Sequence, residues 1–299
     1  MFTPIHHYHC PVCNSDKVEY ALTAKDHTVS NEDFDIWHCN QCSVRFTQDV
    51  PNIDQIGPYY QSNNYISHSN TKKGFINQLY HLVRNYTLGS KARLIKKHSG
   101  KSTGRLLDIG AGVGAFAATM KTQGWHTTAL EPDSSARAEA KKQYGIDLLL
   151  PNELYSFAPQ HFDVITMWHV LEHVHDLQGY FKNFNRLLPI GGKLVIAVPN
   201  YTSSDAAHYG SIWAAYDVPR HLYHFSPAAM AQLAGMHGFT VVATKPMWFD
   251  SFYVAMLSEQ YQYGATRYLS AFWQGLKSNI AAIGNPQKCS SVIYILQKN

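Results

Sequence analysis

Short apolar runs alternate along this 299-residue chain with stretches whose apolar positions recur at helical spacing. The runs are Arg105–Ile109, Thr127–Leu130, Ile146–Leu150, Phe162–Met167, Lys193–Val198, Thr240–Lys245 and Ser290–Gln297. Between them lie helical stretches at Gly114–Gln123, Ser134–Tyr144, Gly179–Leu188 and Pro227–His237. Alternating strand and helix signals predict an α/β, doubly wound sheet of seven strands over residues 102–299. An aromatic stretch, 246–286, separates the last two strands and reads as a helical insertion. Upstream, Phe75, Leu79, Leu82, Val83, Tyr86, Ala92 and Ile95 mark one or two amphipathic helices capping the sheet's edge. They follow a linker, 49–70, rich in Pro, Asn, Gln, Tyr and Ser, so 49–101 forms a linker and helical cap. Residues 1–48 follow neither pattern.

The first strand runs straight into a glycine turn, Leu106–Phe116, LLDIGAGVGAF. Gly110, Ala111, Gly112, Val113 and Gly114 form the turn, and the helix start behind it offers unpaired N–H groups to a ligand. Gly110-x-Gly112-x-x-Ala115 also satisfies the dinucleotide fingerprint. Asp108 separates the two readings. A carboxylate at the carboxyl end of the strand is awkward beside a pyrophosphate and suited to the amino and sulfonium groups of S-adenosylmethionine. Glu131, about twenty residues on, ends the second strand, where a carboxylate accepts two ribose hydroxyls.

The run Asp108-x-Gly110-x-Gly112-x-Gly114 resembles the first motif of class I S-adenosylmethionine-dependent methyltransferases of the type 11/12-like group. Leu171-Glu172-His173, after the fourth strand, resembles the L-E-H triplet of the small-molecule enzymes in that class. The resemblance implies a Rossmann-like methyltransferase sheet, S-adenosylmethionine as methyl donor and S-adenosylhomocysteine as product. It places cofactor contacts at Asp108, Gly110, Ala111, Gly112, Gly114 and Glu131. Around the adenine it implies Pro132, Leu154 and Asn152, with Glu153 as the alternative to Asn152. Met167, Trp168 and His169 then follow the adenosine and methionine portions, and Tyr65 reaches over from the linker, where Tyr59 and Tyr60 are further candidates. His173 serves as a base, orients the acceptor or caps a turn.

After the fifth strand come Asn200 and Tyr201, then a polar and aromatic excursion to Phe225, too long for an ordinary connection. It carries His208, Asp217, Arg220, His221 and His224 over the crevice at the strand ends. Imidazole titrates near neutrality, so a base for a hydroxyl acceptor is expected at His221, with His224 second. Arg220 either grips an acceptor carboxylate or phosphate or pairs with Asp217 to hold the loop. Asn200, Tyr201 and Arg220 are the expected acceptor contacts.

Cysteine spacing explains residues 1–48. Cys10-x2-Cys13 and Cys39-x2-Cys42 stand 25 residues apart, two knuckles that complete a closed tetrahedral Zn²⁺ site. The segment reads as a structural zinc ribbon with strands at Val18–Leu22 and Asp35–His38, the metal substituting for a core. Sugar C-methyltransferases have a similar amino-terminal cysteine arrangement, as do rRNA guanine methyltransferases more distantly. The net charge of +4 is too mild for a nucleic-acid binder's basic face, and scattered lysines such as Lys96, Lys97, Lys141 and Lys142 form no cluster. A secretory signal and a window of eighteen uncharged apolar residues are both missing from the sequence, so a cytoplasmic protein is expected. The resemblance implies methyl transfer to a small molecule such as a sugar, polyketide or quinone-like acceptor. An RNA methyltransferase reading RNA through the ribbon, and a non-catalytic cofactor-binding protein, are the alternatives. The 246–286 insertion is a lid, an acceptor pocket, a homodimer face or simply a packed helical hairpin.

Overall fold

The computed structural model describes residues 4–61 and 75–299. Its main layer is a six-stranded sheet of order β5-β4-β6-β7-β10-β9. β4 (Arg105–Ile109), β5 (His126–Leu130), β6 (Val164–Trp168) and β7 (Lys193–Pro199) run parallel. β10 (Ser291–Lys298) lies antiparallel between β7 and β9 (Phe239–Pro246). Helices cover both faces, which is why the central strands read as continuous apolar runs. These helices are α1 (Phe75–Ser99), α2 (Ala115–Thr122), α3 (Ser134–Tyr144), α4 (Leu177–Leu187) and α6 (Pro227–Met236).

Six strands form where seven were expected. Ile146–Leu150 makes only a single parallel bridge, Leu149 to Leu130. Ile146 and Leu148 turn down onto Ala117, Ala129 and Ala140, so their hydrophobicity serves helix packing. Pro151 then removes the next N–H donor and opens a 3-10 turn, Pro151–Tyr155, and the ladder stops.

A second sheet, β1-β2-β3-β8, holds the amino-terminal segment. β1 (Val18–Lys25), β2 (Asp33–Cys39) and β3 (Arg45–Thr47) are the ribbon strands. The fourth, β8 (Tyr223–His224), comes from the excursion after β7, pairing Arg45 with His224 and Phe46 with Tyr223. The two sheets share one core: Cys10, Val12, Cys39, Cys42, Val44 and Phe46 are buried in the same cluster as Leu107, Met167, Leu222 and Phe225. The excursion begins with the short helix α5 (Ser204–Tyr209). The insertion is a helical hairpin, α7 (Asp250–Tyr263) and α8 (Tyr268–Ile283). α8 turns Ala271, Gly275 and Ala282 inward and leaves Leu269, Trp273, Ile280 and Ile283 exposed. Among the described residues, no helix is long and apolar enough to cross a membrane.

Candidate functional site

In a doubly wound sheet the ligand crevice lies outside the carboxyl ends of the strands, here those of β4, β5 and β6. Gly110 needs both its left-handed backbone, φ +68°, and its missing side chain, since a Cβ there would lie 2.3 Å from Val170 Cγ2. Gly110 and Ala111 donate their N–H groups to Leu130 O, tying the turn to the end of β5. At Gly112, φ +55°, a Cβ would meet nothing within 4 Å, so the turn fronts open space. Asp108, 1% exposed, accepts one hydrogen bond, 2.7 Å from Thr166 Oγ1. Burial raises its carboxyl to about 7, only partly opposed by Thr166 and the Lys91 ammonium. Glu131 is also raised by burial, against hydrogen bonds from the Gly112 and Asp133 N–H groups at 2.7 and 3.0 Å. Those two bonds use half of a carboxylate's acceptor capacity of about four, so two hydroxyls can still be held.

Lys91 of α1 completes this side, its ammonium 4.2 Å from the Trp168 ring centroid. Burial lowers its pKa, while Asp108 and Asp250 oppose that shift. Trp168 Nε1 is buried without a partner. An under-satisfied carboxylate, a cation, an orphaned indole N–H and an open glycine turn suit a zwitterionic ligand with a cationic centre, and so fit S-adenosylmethionine. His169 adopts φ +57° and donates its N–H to Ala197 O. Its ring lies between Asp250 Oδ2 at 2.7 Å and Glu172 Oε1 at 3.3 Å. Burial opposes charge there, but the two carboxylates outweigh it and raise the imidazole to about 10.

Beyond His169, Leu171–His173 forms a 3-10 turn, and the rings of His173 and His221 are 4.6 Å apart. His221 Nδ1 lies 2.9 Å from Ala215 O, and His173 Nδ1 lies 3.0 Å from Arg220 O and 3.0 Å from Tyr60 Oη. A carbonyl only accepts, so each Nδ1 donates, and in a neutral ring the lone pair then lies on Nε2. Burial, followed by His221, lowers His173 to about 4 and keeps it neutral. His221 Nε2 is 3.9 Å from Asp217 Oδ2. Glu172 is buried at the same place, its Oε2 without a partner.

Several expected contacts are committed elsewhere. Arg220, 0% exposed, bonds Asp217 through Nε and Nη2 (3.0 and 2.6 Å), Asp26 through Nη2 (2.9 Å) and Tyr59 O through Nη1 (2.8 Å). It pins the loop and has no free fork for an acceptor anion. Asn200 donates to Gln287 O and Cys289 O and accepts from Thr202, which ties β7 to the turn before β10. Tyr201 donates to Ser43 O at 2.6 Å beneath the Arg45 guanidinium. His224 is buried against Thr47 and Tyr216, and burial holds it well below the usual histidine value. Leu154 lies in the core, leaving exposed Asn152 and Pro132 beside the expected adenine position. Met167 is likewise interior, with only its backbone near the crevice. Tyr65 lies outside the described residues.

The four cysteines converge. Cys10 and Cys42 Sγ are 3.5 Å apart, Cys13 and Cys39 Sγ 3.6 Å, and all four lie within 4.8 Å of one another. A tetrahedral zinc with bonds of about 2.3 Å needs sulfur–sulfur edges of about 3.8 Å, so the donor set fits. Thr166, Lys91 and Asp250 were not foreseen. Lys91 and Asp250 reach the crevice from helices remote in sequence, and no spacing rule connects them to the glycine turn.

A family model described as a methyltransferase domain matches residues 81–244, more than half of the chain. A ubiquinone biosynthesis O-methyltransferase from Aeromonas salmonicida is 34% identical over 104 residues, 32% of this chain and 43% of that protein. A demethylmenaquinone methyltransferase from Tropheryma whipplei is 30% identical over 134 residues, 43% of this chain and 56% of that protein. The chain therefore spans about half the length of the curated relatives it matches. Magnesium protoporphyrin IX methyltransferase from Synechocystis, solved with bound S-adenosylhomocysteine, aligns with a TM-score of 0.52 and 12% identity, covering 81% of this chain and 97% of that one. Geranyl diphosphate C-methyltransferase from Streptomyces coelicolor gives 0.51 and 12%, covering 77% and 88%. At these identities the likeness is one of fold. By the family match over residues 81–244, this chain belongs to the methyltransferase-domain family.

Proposed function

We propose that the chain is an S-adenosylmethionine-dependent methyltransferase that acts in the cytoplasm on a small-molecule acceptor, a sugar, polyketide or quinone-like compound, with a structural zinc in its ribbon. Asp108 carries the reading: a buried carboxyl with one hydroxyl donor, at the end of β4 beneath an open glycine turn, calls for a cation. Asp108 takes the donor's ammonium side, Lys91 its carboxylate and Glu131 its ribose. Bound there, the donor supplies a methyl already activated as a sulfonium. The protein's work is then alignment, exclusion of water and movement of one proton. For a hydroxyl acceptor, His221 Nε2 takes that proton as the new bond forms, and Asp217 at 3.9 Å favours the resulting imidazolium. Neutral His173 beside it orients the hydroxyl.

The buried knuckles support a small acceptor over RNA, because β8 covers the edge of β3 and Cys10, Cys39 and Cys42 face the core. The names of the quinone-pathway relatives support the same choice. Calorimetry with S-adenosylmethionine, S-adenosylhomocysteine and NAD tests the cofactor: the first two should bind and NAD should not. Uptake of NAD alone would end the reading. Labelled donor incubated with fractionated cell extract should leave ribonuclease-resistant label in small molecules, whereas label released by ribonuclease would move the acceptor to RNA.

A further inference from the structure

The amino-terminal cysteine module does not stand apart from the histidine side of the crevice. β3 leaves the second knuckle at Cys42 and ends on Thr47. There the Thr47 hydroxyl donates to His221 O at 2.7 Å and lies 3.1 Å from His224 Nε2. With its proton on His221 O, that oxygen can only accept from His224, which fixes His224 as the Nε2–H tautomer. The Thr47 N–H also donates to Leu222 O at 3.0 Å. One residue of the ribbon thus holds three of the four residues from His221 to His224.

The β1–β2 hairpin adds a second hold. Asp26 is buried, gathers the N–H groups of Thr28, Val29 and Ser30, and takes Arg220 Nη2 at 2.9 Å. Ser43, between Cys42 and β3, adds a hydroxyl contact of 2.6 Å to Ser226. The glycine-turn side has its own supports instead. Asp108 relies on Thr166, and Glu131 on Gly112 and Asp133. The two halves of the crevice therefore rest on different hydrogen-bond supports over one shared apolar core.

We propose that the thiolate module is the positioning element of the acceptor side, with Thr47 and Asp26 as its positioning residues, so that metal occupancy orders residues 220–226 while leaving the cofactor side intact. This deepens the reading of His221 as base, but its test needs no acceptor and so can fail independently. In the zinc-loaded full chain, Thr47→Val should speed amide exchange across residues 221–225 by about tenfold or more and shift the His224 ring nitrogens in ¹⁵N spectra, the scale expected for losing a buried hydrogen bond. Thr47→Ser, which keeps the hydroxyl, should restore both. Asp26→Asn should loosen Arg220 similarly, and stripping zinc with a chelator should reproduce the exchange pattern. In the two point variants S-adenosylhomocysteine affinity should stay within about twofold, because the cofactor side has separate hydrogen-bond supports. Unchanged exchange at 221–225 in Thr47→Val, or cofactor affinity falling in step with it, would overturn the proposal. If S-adenosylhomocysteine fails to bind even the unmutated chain while Thr47→Val still frees the loop, the cofactor assignment falls and the positioning role stands.

Discussion

Asp108 makes ligand affinity depend on pH in a direction that follows from its surroundings. Burial lifts its carboxyl from 3.8 to about 7, so the native protein holds a proton there that the unfolded chain has released. The contribution of this group to stability is therefore full at low pH and falls as pH rises from about 4 through about 7. A cationic ligand needs the ionised form, so its affinity should rise over the same window and level off above about 7. Calorimetric titrations with S-adenosylmethionine should show this rise, and Asp108→Asn should bind about tenfold or more weakly and lose the pH dependence. Gly110→Ala tests the turn: with Val170 Cγ2 at 2.3 Å and φ +68°, a methyl should cost about 2–4 kcal/mol in denaturant unfolding. Adding Val170→Ala should recover the steric part and leave the backbone part of about 1 kcal/mol. Asp108, Glu131 and the cysteines were legible in the sequence because strand, turn and knuckle rules fix their places over short spans. For Arg220 the sequence leaves two readings open, and the geometry takes the pairing with Asp217; burial decides what Arg220 and His224 can do, and burial there depends on residues far away in the chain.

Individual elements show where local patterns stop being informative. The expected third strand has strand-like alternation, yet Ile146 and Leu148 spend it on α2 and α3, and Pro151 stops the ladder. β8 is only two residues long and exists because β3 offers it an edge, so no local propensity announces it. α1 was legible as a helix, but Lys91 depends on its rotational setting against β6. Lys91→Met should weaken S-adenosylmethionine binding by about tenfold, whereas decarboxylated S-adenosylmethionine should bind both proteins alike. α7 is fastened to the crevice by Asp250 on His169. His169 is raised to about 10 in the native state, so the stability from this pair is full below about 6.5 and fades as pH rises through about 10. Thermal unfolding of Asp250→Asn should show its largest deficit against the unmutated chain between about pH 4 and 6.5, closing as pH rises through about 10.

For the whole molecule, the shared core has a thermodynamic signature. The cysteine knuckles are buried in one cluster with β4, β6 and the excursion, so the ribbon and the larger sheet should melt together. Calorimetry of the zinc-loaded chain should record one transition, and Cys39→Ser should lower its midpoint as a whole; a separate early transition for the ribbon would contradict the shared core. A chain beginning at residue 49 should be poorly soluble, because Leu222, Tyr223 and Phe225 would lose their cover. The match of Arg45 to His224 and of Phe46 to Tyr223 also bears on inheritance. In a chimaera of related proteins, residues 26–47 and 216–226 have to come from the same parent. Swapping only the front segment would pair mismatched halves of a clasp.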